Sequence, residues 1–155
     1  MEVFDVFIFY GMIGLFIISF ISSIIPIPTE PVVFGLLGAG GNPGYIFITL
    51  TSGSILGASA GYFMGKHGLT KLIKFHKNKE KEKNTDMYFR RYGALFLLIS
   101  PWIPFVVDLA PMVAGIQNYD SKRFLIVISI ANIFKSMGVV YLSIIIIDWW
   151  TLFLK

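Results

Sequence analysis

The sequence has no cysteine and little charge. Without cysteine there can be no disulfide, no thiolate metal site and no cysteine nucleophile. Only 14% of the 155 residues are charged, whereas 55% are hydrophobic and the mean hydropathy is +0.74. A soluble domain of this size does not need so much apolar surface. The composition therefore predicts an integral membrane protein, in which the aromatic residues suit interfacial belts as well as packing.

Positive charge is scarce except in one stretch. Nine of the thirteen Lys and Arg residues fall between Lys66 and Arg91. The positive-inside rule places this loop, 66–91, in the cytoplasm, and we expect the membrane to be the cell (plasma) membrane. The N-terminus carries Glu2 and Asp5 but no Lys or Arg, which argues for a retained transmembrane helix and against a signal peptide. Two crossings before the loop would place this acidic terminus in the cytoplasm too, and the larger basic cluster decides the orientation.

Long apolar runs predict a single all-α membrane domain. About 20 apolar residues are enough to cross the hydrocarbon core. We expect crossings at 6–25, 45–65 and 124–147, with Asp148-Trp149-Trp150 as an interfacial anchor and Asp120-Ser121 as a helix N-cap. Asn42-Pro43-Gly44 is typical of a turn. The domain divides into residues 1–65 (first helix, broken segment, second helix), 66–92 (basic loop), 93–119 (second broken segment) and 120–155 (last helix and anchor).

Prolines and one acid interrupt each of two apolar segments. Glu30 lies in the first and Asp108 in the second, and each follows a proline by four residues. The breaking prolines are Pro26, Pro28, Pro31, Pro101, Pro104 and Pro111. Broken backbone is tolerated at membrane depth only inside protein or beside a wet cavity, so we predict two facing re-entrant helix hairpins with Glu30 and Asp108 at a polar passage. The alternative is that both are turns near an interface with solvated acids.

The two broken segments also resemble each other, which suggests an inverted repeat. Ala39-Gly40 follows the first acid and Ala114-Gly115 follows the second, although these distances differ by three residues. Inverted repeats with broken helices at mid-membrane are typical of transporters.

Regularly spaced glycines predict helix packing, and a few cations are candidates for binding lipid headgroups. Gly53, Gly57, Gly61 and Gly65 recur every four residues, which predicts a smooth helix face for close packing. Arg90, Arg91 and Lys135 are candidates for binding headgroups; the alternative for the basic stretch is a solvated loop. We expect Lys135 to pair with Glu30 or Asp108; otherwise it extends to an interface. His67 and His76 lack a third ligand, so no metal site is expected, nor a cofactor or nucleic acid.

The order and spacing of five stretches resemble the DedA family, also called the SNARE-associated or VTT-domain family. These stretches are PIPTEPVVFGLLGAGG, GASAGYFMGKHG, YFRRYG, SPWIPFVVDLAPMVAG and KRF, and they span most of the chain. The resemblance implies two facing re-entrant helices, movement of phospholipids or polyprenyl phosphates between leaflets, and an essential membrane acid at Glu30. The family's second segment reads Arg-Phe-x-Pro-Gly-x-Arg, and both arginines are absent here, as in the short YqaA-like branch. Arg90, Arg91 or Lys135 would have to replace them.

Several functions fit this pattern. The first is a lipid translocase or scramblase that moves lipid headgroups between leaflets and is coupled to protons through Glu30 and Asp108. A proton- or ion-coupled carrier of a small solute would use the same acids in an enclosed site. A non-catalytic assembly factor would need neither acid. An intramembrane aspartyl protease is disfavoured because its Gly-x-Gly-Asp motif is absent, so we expect no enzyme. The oligomeric state stays open, and a homo-oligomer is compatible with the sequence.

Overall fold

The computed structural model describes residues 2–25, 27–69, 91–99 and 109–153. Within these ranges every regular element is a helix. In chain order the helices are α1 (Glu2–Ser22), α2 (Glu30–Gly38), α3 (Pro43–Met64), α4 (91–99), α5 (Leu109–Ile116) and α6 (Ser121–Phe153). A π-helical turn, Gly65–Leu69, extends α3, so the first residues of the predicted basic loop continue the helix. Two long helices, α3 and α6, are thus each preceded by a short one.

Two of the described helices are long and apolar enough to cross a membrane. They are Pro43–His67, with 25 residues, and Ser121–Phe153, with 33. At 1.5 Å per residue, α6 is about 50 Å long, well beyond the roughly 30 Å of a hydrocarbon core. The apolar stretch of α1, Ile8–Ser22, is shorter, so a crossing at 6–25 stays a prediction.

The short helices α2 and α5 end in the same way. In α2 the Gly41 and Gly40 amides donate to the carbonyls of Leu36 and Leu37. In α5 the amides of residues 119 and 118 donate to the carbonyls of residues 114 and 115. Both patterns are Schellman motifs, and the left-handed residue is Gly40 (φ 88°) in one and Asn118 (φ 51°) in the other.

Each short helix leads directly into a capped long helix. The side chain of Asn42 accepts from the Gly44 amide and begins α3, with Pro43 in the first turn. The predicted turn at Asn42-Pro43-Gly44 is therefore a helix start, because the reversal has already occurred at Gly40. Asp120 accepts from the Lys122 amide at the start of α6, which confirms the predicted cap.

One offset of 78 residues aligns the two halves of the chain. It relates Pro26 to Pro104, Glu30 to Asp108, Gly40 to Asn118 and Asn42 to Asp120. The sequence comparison paired Gly40 with Gly115, and this pairing is wrong by three residues because the left-handed position of the second half holds asparagine.

Burial follows the same offset. The buried residues of α6 are Phe124, Ile128, Ala131, Asn132, Ser136, Val140 and Ser143. Their counterparts are Ile46, Leu50, Gly53, Ser54, Ala58, Tyr62 and Gly65, and all of these are buried as well. Leu15 and Ser19, the buried positions of α1, correspond to Gly93 and Leu97, the buried positions of α4. The two sets of three helices therefore present the same faces inward.

Packing between the halves is reciprocal. The short helix α2 of the first half packs against α6, and the short helix α5 of the second half packs against α3. Two apolar clusters result. One contains Leu15, Val33, Leu36, Ile46, Leu50 and Val140, and the other contains Ala58, Tyr62, Leu97, Ala110, Ala114, Tyr119, Phe124 and Ile128.

Candidate membrane-buried site

Glu30 is the first residue of α2, and its side chain is exposed. A carboxylate at this end of a helix is stabilised by the unpaired backbone amides and the helix dipole. The preceding Thr29 is only 4% exposed, so the acid lies beside a buried hydroxyl-bearing residue. Asp108 lies outside the described residues, but it immediately precedes α5, whose first residue is Leu109. Glu30 therefore opens one short helix, and Asp108 directly precedes the next short helix in the sequence.

The break before α2 has its own hydrogen bonds. The chain turns at residues 23–25, and the Ser22 hydroxyl donates to the Ile27 carbonyl over 2.6 Å. A carbonyl freed by a helix break needs such a partner in a low-dielectric environment. Pro28 and Pro31 are exposed, and Pro31 lies in the first turn of α2. Pro26, Pro101 and Pro104 lie outside the described residues.

The glycine ladder of α3 contacts two different helices. A Cβ at Gly53 would lie 2.8 Å from the Phe16 carbonyl oxygen, and one at Gly57 would overlap the Phe20 carbonyl oxygen. Further along, Gly61 faces Pro111 of α5, and a Cβ at Gly65 would overlap the Met112 carbonyl oxygen. The first two glycines therefore contact α1 and the last two contact α5, with helix backbones in direct contact.

A polar cluster joins α3 to the turn between α5 and α6. The Tyr62 hydroxyl donates to the Tyr119 carbonyl and lies 3.0 Å from the Ser121 Oγ. The Lys66 Nζ lies 3.4 Å from the same Oγ and 5.7 Å from the centre of the Tyr62 ring. The Tyr62 ring, 1% exposed, also stacks on Phe124 with centroids 4.4 Å apart. The sequence did not reveal this cluster because its two parts, on α3 and on the turn before α6, lie more than 50 residues apart and share no motif.

Lys135 lies near the middle of α6. It is partly exposed and is about 20 Å along the axis from both Lys122 and Trp149. No ion pair joins Lys135 to Glu30, and both of these residues are described, so the predicted pairing with one of the two acids stays a prediction. The other predicted partner, Asp108, is outside the described ranges. Buried Asn132 and Ser136 flank Lys135 on the helix, so its surroundings include polar groups.

The remaining candidates lie at the surface or outside the described ranges. Arg91 begins α4, is exposed, and holds its guanidinium 5.8 Å from the centre of the Tyr92 ring. Arg90 falls outside the described residues. Among the residues that are described, no group of three His, Cys, Asp or Glu side chains could hold a metal ion. Of the predicted charged site residues, the structure therefore describes Glu30, Arg91 and Lys135.

Long apolar helices, a broken segment and a mid-helix lysine define the class: an all-helical membrane protein. A profile of the VTT domain matches residues 25–144. The chain belongs to this VTT-domain family, the DedA family.

Two relatives are similar to parts of the chain. An uncharacterized protein of Methanocaldococcus jannaschii is 24% identical over 140 residues, covering 90% of this chain and 87% of its own. An inner membrane protein of Borreliella burgdorferi is 34% identical over 82 residues, covering 52% of this chain and 40% of its own. No solved structure matches.

Proposed function

We propose that the protein moves lipid headgroups between the two leaflets, using the starts of α2 and α5 as the two sides of a polar passage. The reciprocal packing of the two short helices is the observation that carries this proposal: α2 lies on α6 and α5 lies on α3. A two-fold pseudosymmetry axis in the membrane plane would produce this exchange, as in transporters with inverted repeats. In that arrangement α2 and α5 are the inner arms of two re-entrant hairpins.

The positions of the acids support the same proposal. Glu30 opens α2, Asp108 directly precedes α5, and the two are related by the 78-residue offset. Pseudosymmetry would place equivalent acids on opposite sides of one passage. A carboxylate at membrane depth is costly unless it faces water or a polar partner, so both would hydrate the passage. Protons exchanged at these acids would couple lipid movement to the proton gradient.

The open face of α2 favours a lipid over a small solute as the transported substrate. Glu30, Phe34, Gly35 and Gly38 are all exposed, while Val33 and Leu36 on the opposite face are buried. A headgroup could contact Glu30 on such a face while its tails stay in the bilayer. An enclosed solute site would cover this face with protein.

Reconstitution into liposomes with fluorescent lipid tests the proposal. A membrane-impermeant reductant quenches the outer leaflet, and we expect wild type to allow quenching well beyond the protein-free half. Glu30→Gln should remove this excess while unfolding at the wild-type temperature, because it removes the charge and keeps the size. Asp148→Asn, which neutralises another exposed acid near the end of α6, is the matched control. Quenching that stops at one half for phospholipids and for polyprenyl phosphates under a pH gradient would favour the solute carrier or the assembly factor.

A further inference from the structure

The contacts of α3 show in which direction α1 runs. An added Cβ at Gly53 would lie 2.8 Å from the carbonyl oxygen of Phe16. Two turns later, an added Cβ at Gly61 would lie 3.8 Å from the carbonyl oxygen of Ser23. The contacted residue of α1 advances as α3 advances, so the two helices run parallel. The start of α3 lies about 15 Å before Gly53 and is therefore level with the first two turns of α1.

Helix α2 runs back along α1. The Ser22 hydroxyl at the end of α1 donates to the carbonyl of Ile27, just before α2 begins. By Leu36 the chain is again beside the middle of α1, because an added Cβ at Gly11 would lie 2.5 Å from the Leu36 Cδ2. The turn at Gly40 then leads into α3. Helices α1 and α2 thus form a hairpin that begins and ends at the end of the molecule where α3 starts.

Helix α6 runs in the opposite direction to α3. At its start, the Ser121 Oγ lies 3.4 Å from the Nζ of Lys66, which follows the last residue of α3 by two positions. Further along α6, Val140 shares an apolar cluster with Ile46 near the start of α3. Positions on α3 fall as those on α6 rise. Helix α6 therefore ends at the end of the molecule where α1 and α3 begin.

The two ends of the molecule differ in charge. Where α3 ends and α6 begins, three cations stand against one acid, Asp120: Lys66, Lys122 and Arg123. The first turn of α1 and the last turns of α6 carry three acids: Glu2, Asp5 and Asp148. The basic loop also follows α3 at the cationic end. The positive-inside rule assigns this end to the cytoplasm and the acidic end to the opposite face.

We propose that the hairpin of α1 and α2 enters the membrane from the non-cytoplasmic face, where α6 also ends. The crossing expected at 6–25 is then replaced by a hairpin, and α3 is the first helix to cross. The acidic start of α1, which has no Lys or Arg, no longer has to face the cytoplasm, so its charge agrees with that of the basic loop.

This arrangement assigns the two short helices to different halves of the membrane. The open face of α2 belongs to the outer half, beside the first turns of α3. The closely packed α5, whose Met112 carbonyl contacts Gly65 just after α3, belongs to the inner half. The inference goes beyond the proposed function, because it concerns sidedness and holds whether or not the protein moves lipid.

The chain has no cysteine, so a single engineered cysteine is the only thiol in each variant. Glu2→Cys reports on the start of α1, Lys122→Cys on the start of α6, and Asp148→Cys on the end of α6. The full chain is expressed in bacterial spheroplasts, and a membrane-impermeant maleimide is added before or after permeabilisation. We expect Glu2→Cys and Asp148→Cys to be labelled in intact spheroplasts, and Lys122→Cys to be labelled only after permeabilisation.

Glu2→Cys distinguishes the hairpin from a full crossing by α1, because the other two thiols keep their sides in both arrangements. Labelling of Glu2→Cys only after permeabilisation would overturn the hairpin. Asp5→Cys, a second reporter in the first turn of α1, should behave as Glu2→Cys does, so the result does not depend on one variant. Labelling of Lys122→Cys in intact spheroplasts would overturn the assignment of the cationic end to the cytoplasm.

The labelling pattern and the lipid assay fail independently. The expected labelling in a protein that moves no lipid would overturn the translocase and leave the hairpin in place. Lipid movement by a protein whose Glu2→Cys thiol is labelled only after permeabilisation would overturn the hairpin and leave the translocase.

Discussion

The two short helices occupy equivalent places but are held differently. In the α2 half, the large Leu36 shares a cluster with the smaller Val140 of α6. In the α5 half, the equivalent pair is reversed: the small Ala114 shares a cluster with the large Tyr62 of α3. The larger side chain is on the short helix in the first pair and on the long helix in the second, while the 78-residue offset is kept. Each cluster thus combines a larger and a smaller side chain at equivalent positions, but the chemistry of the pair differs.

The change in chemistry makes the α5 side the more firmly fixed of the two. There the backbones touch at Gly65 and Gly115, and Tyr62 donates to the Tyr119 carbonyl. On the α2 side, Gly35 and Gly38 have no neighbouring atom within 4 Å of an added Cβ, so this helix face is open. The comparison indicates that α5 is held by backbone contacts and a hydrogen bond, whereas α2 leaves one of its faces open.

The largest effect on stability should come from placing leucine at Gly57, and the matched change is leucine at Lys135. Gly57→Leu forces a side chain into the Phe20 carbonyl, so we expect the free energy of unfolding to fall by about 3 kcal/mol. Lys135→Leu is the matched variant at the equivalent position and should cost no more than about 0.5 kcal/mol. Denaturant unfolding in detergent measures both. Equal losses would show that the helices preceding both breaks approach their partners equally closely.

A moderate effect is expected at Tyr62. Tyr62→Phe keeps the ring that stacks on Phe124 but leaves the buried Tyr119 turn without this donor. We expect the free energy of unfolding to fall by about 1–2 kcal/mol. Tyr141→Phe, at a tyrosine that is 64% exposed, removes the same hydroxyl and should leave stability unchanged. If both variants unfold like wild type, the cluster does not anchor the α5 side.

The smallest effect should appear at the two left-handed positions. Asn118→Gly removes a Cβ from a residue with φ 51°, which should raise the free energy of unfolding by about 0.5 kcal/mol. Gly40→Asn makes the reverse change in the first half and should lower it by a similar amount. Opposite signs in the same unfolding measurement would support the equivalence of the two Schellman turns; a loss in both variants would contradict it.

Local chemistry explains what could be predicted from the sequence. Long apolar runs predicted the helices α3 and α6, and Asp120 predicted the start of the last one. The four-residue spacing of Gly53 and Gly57 predicted a smooth face, because it follows from helix geometry alone. Which helix covers that face depends on tertiary packing, and it proved to be α1 for these two and α5 for Gly61 and Gly65.

The 78-residue offset between the two halves was missed for a different reason. Residue identity pairs Gly40 with Gly115, whereas backbone conformation pairs it with Asn118, because asparagine also tolerates the left-handed region. Gly57 and Lys135 are related by the same offset, but a comparison of residue types does not pair them because a glycine and a lysine share no side-chain chemistry. Positions related by the offset share burial and backbone angles more than side chains, and these properties become visible only in three dimensions.

The most direct test of the central claim is lipid translocation by both neutral variants, Glu30→Gln and Asp108→Asn, in the reductant assay. If the two halves form one passage, each variant alone should lose most of the quenching beyond one half, and Asp148→Asn should keep it. Full quenching in both variants, each with wild-type stability, would contradict a passage built from the two acids.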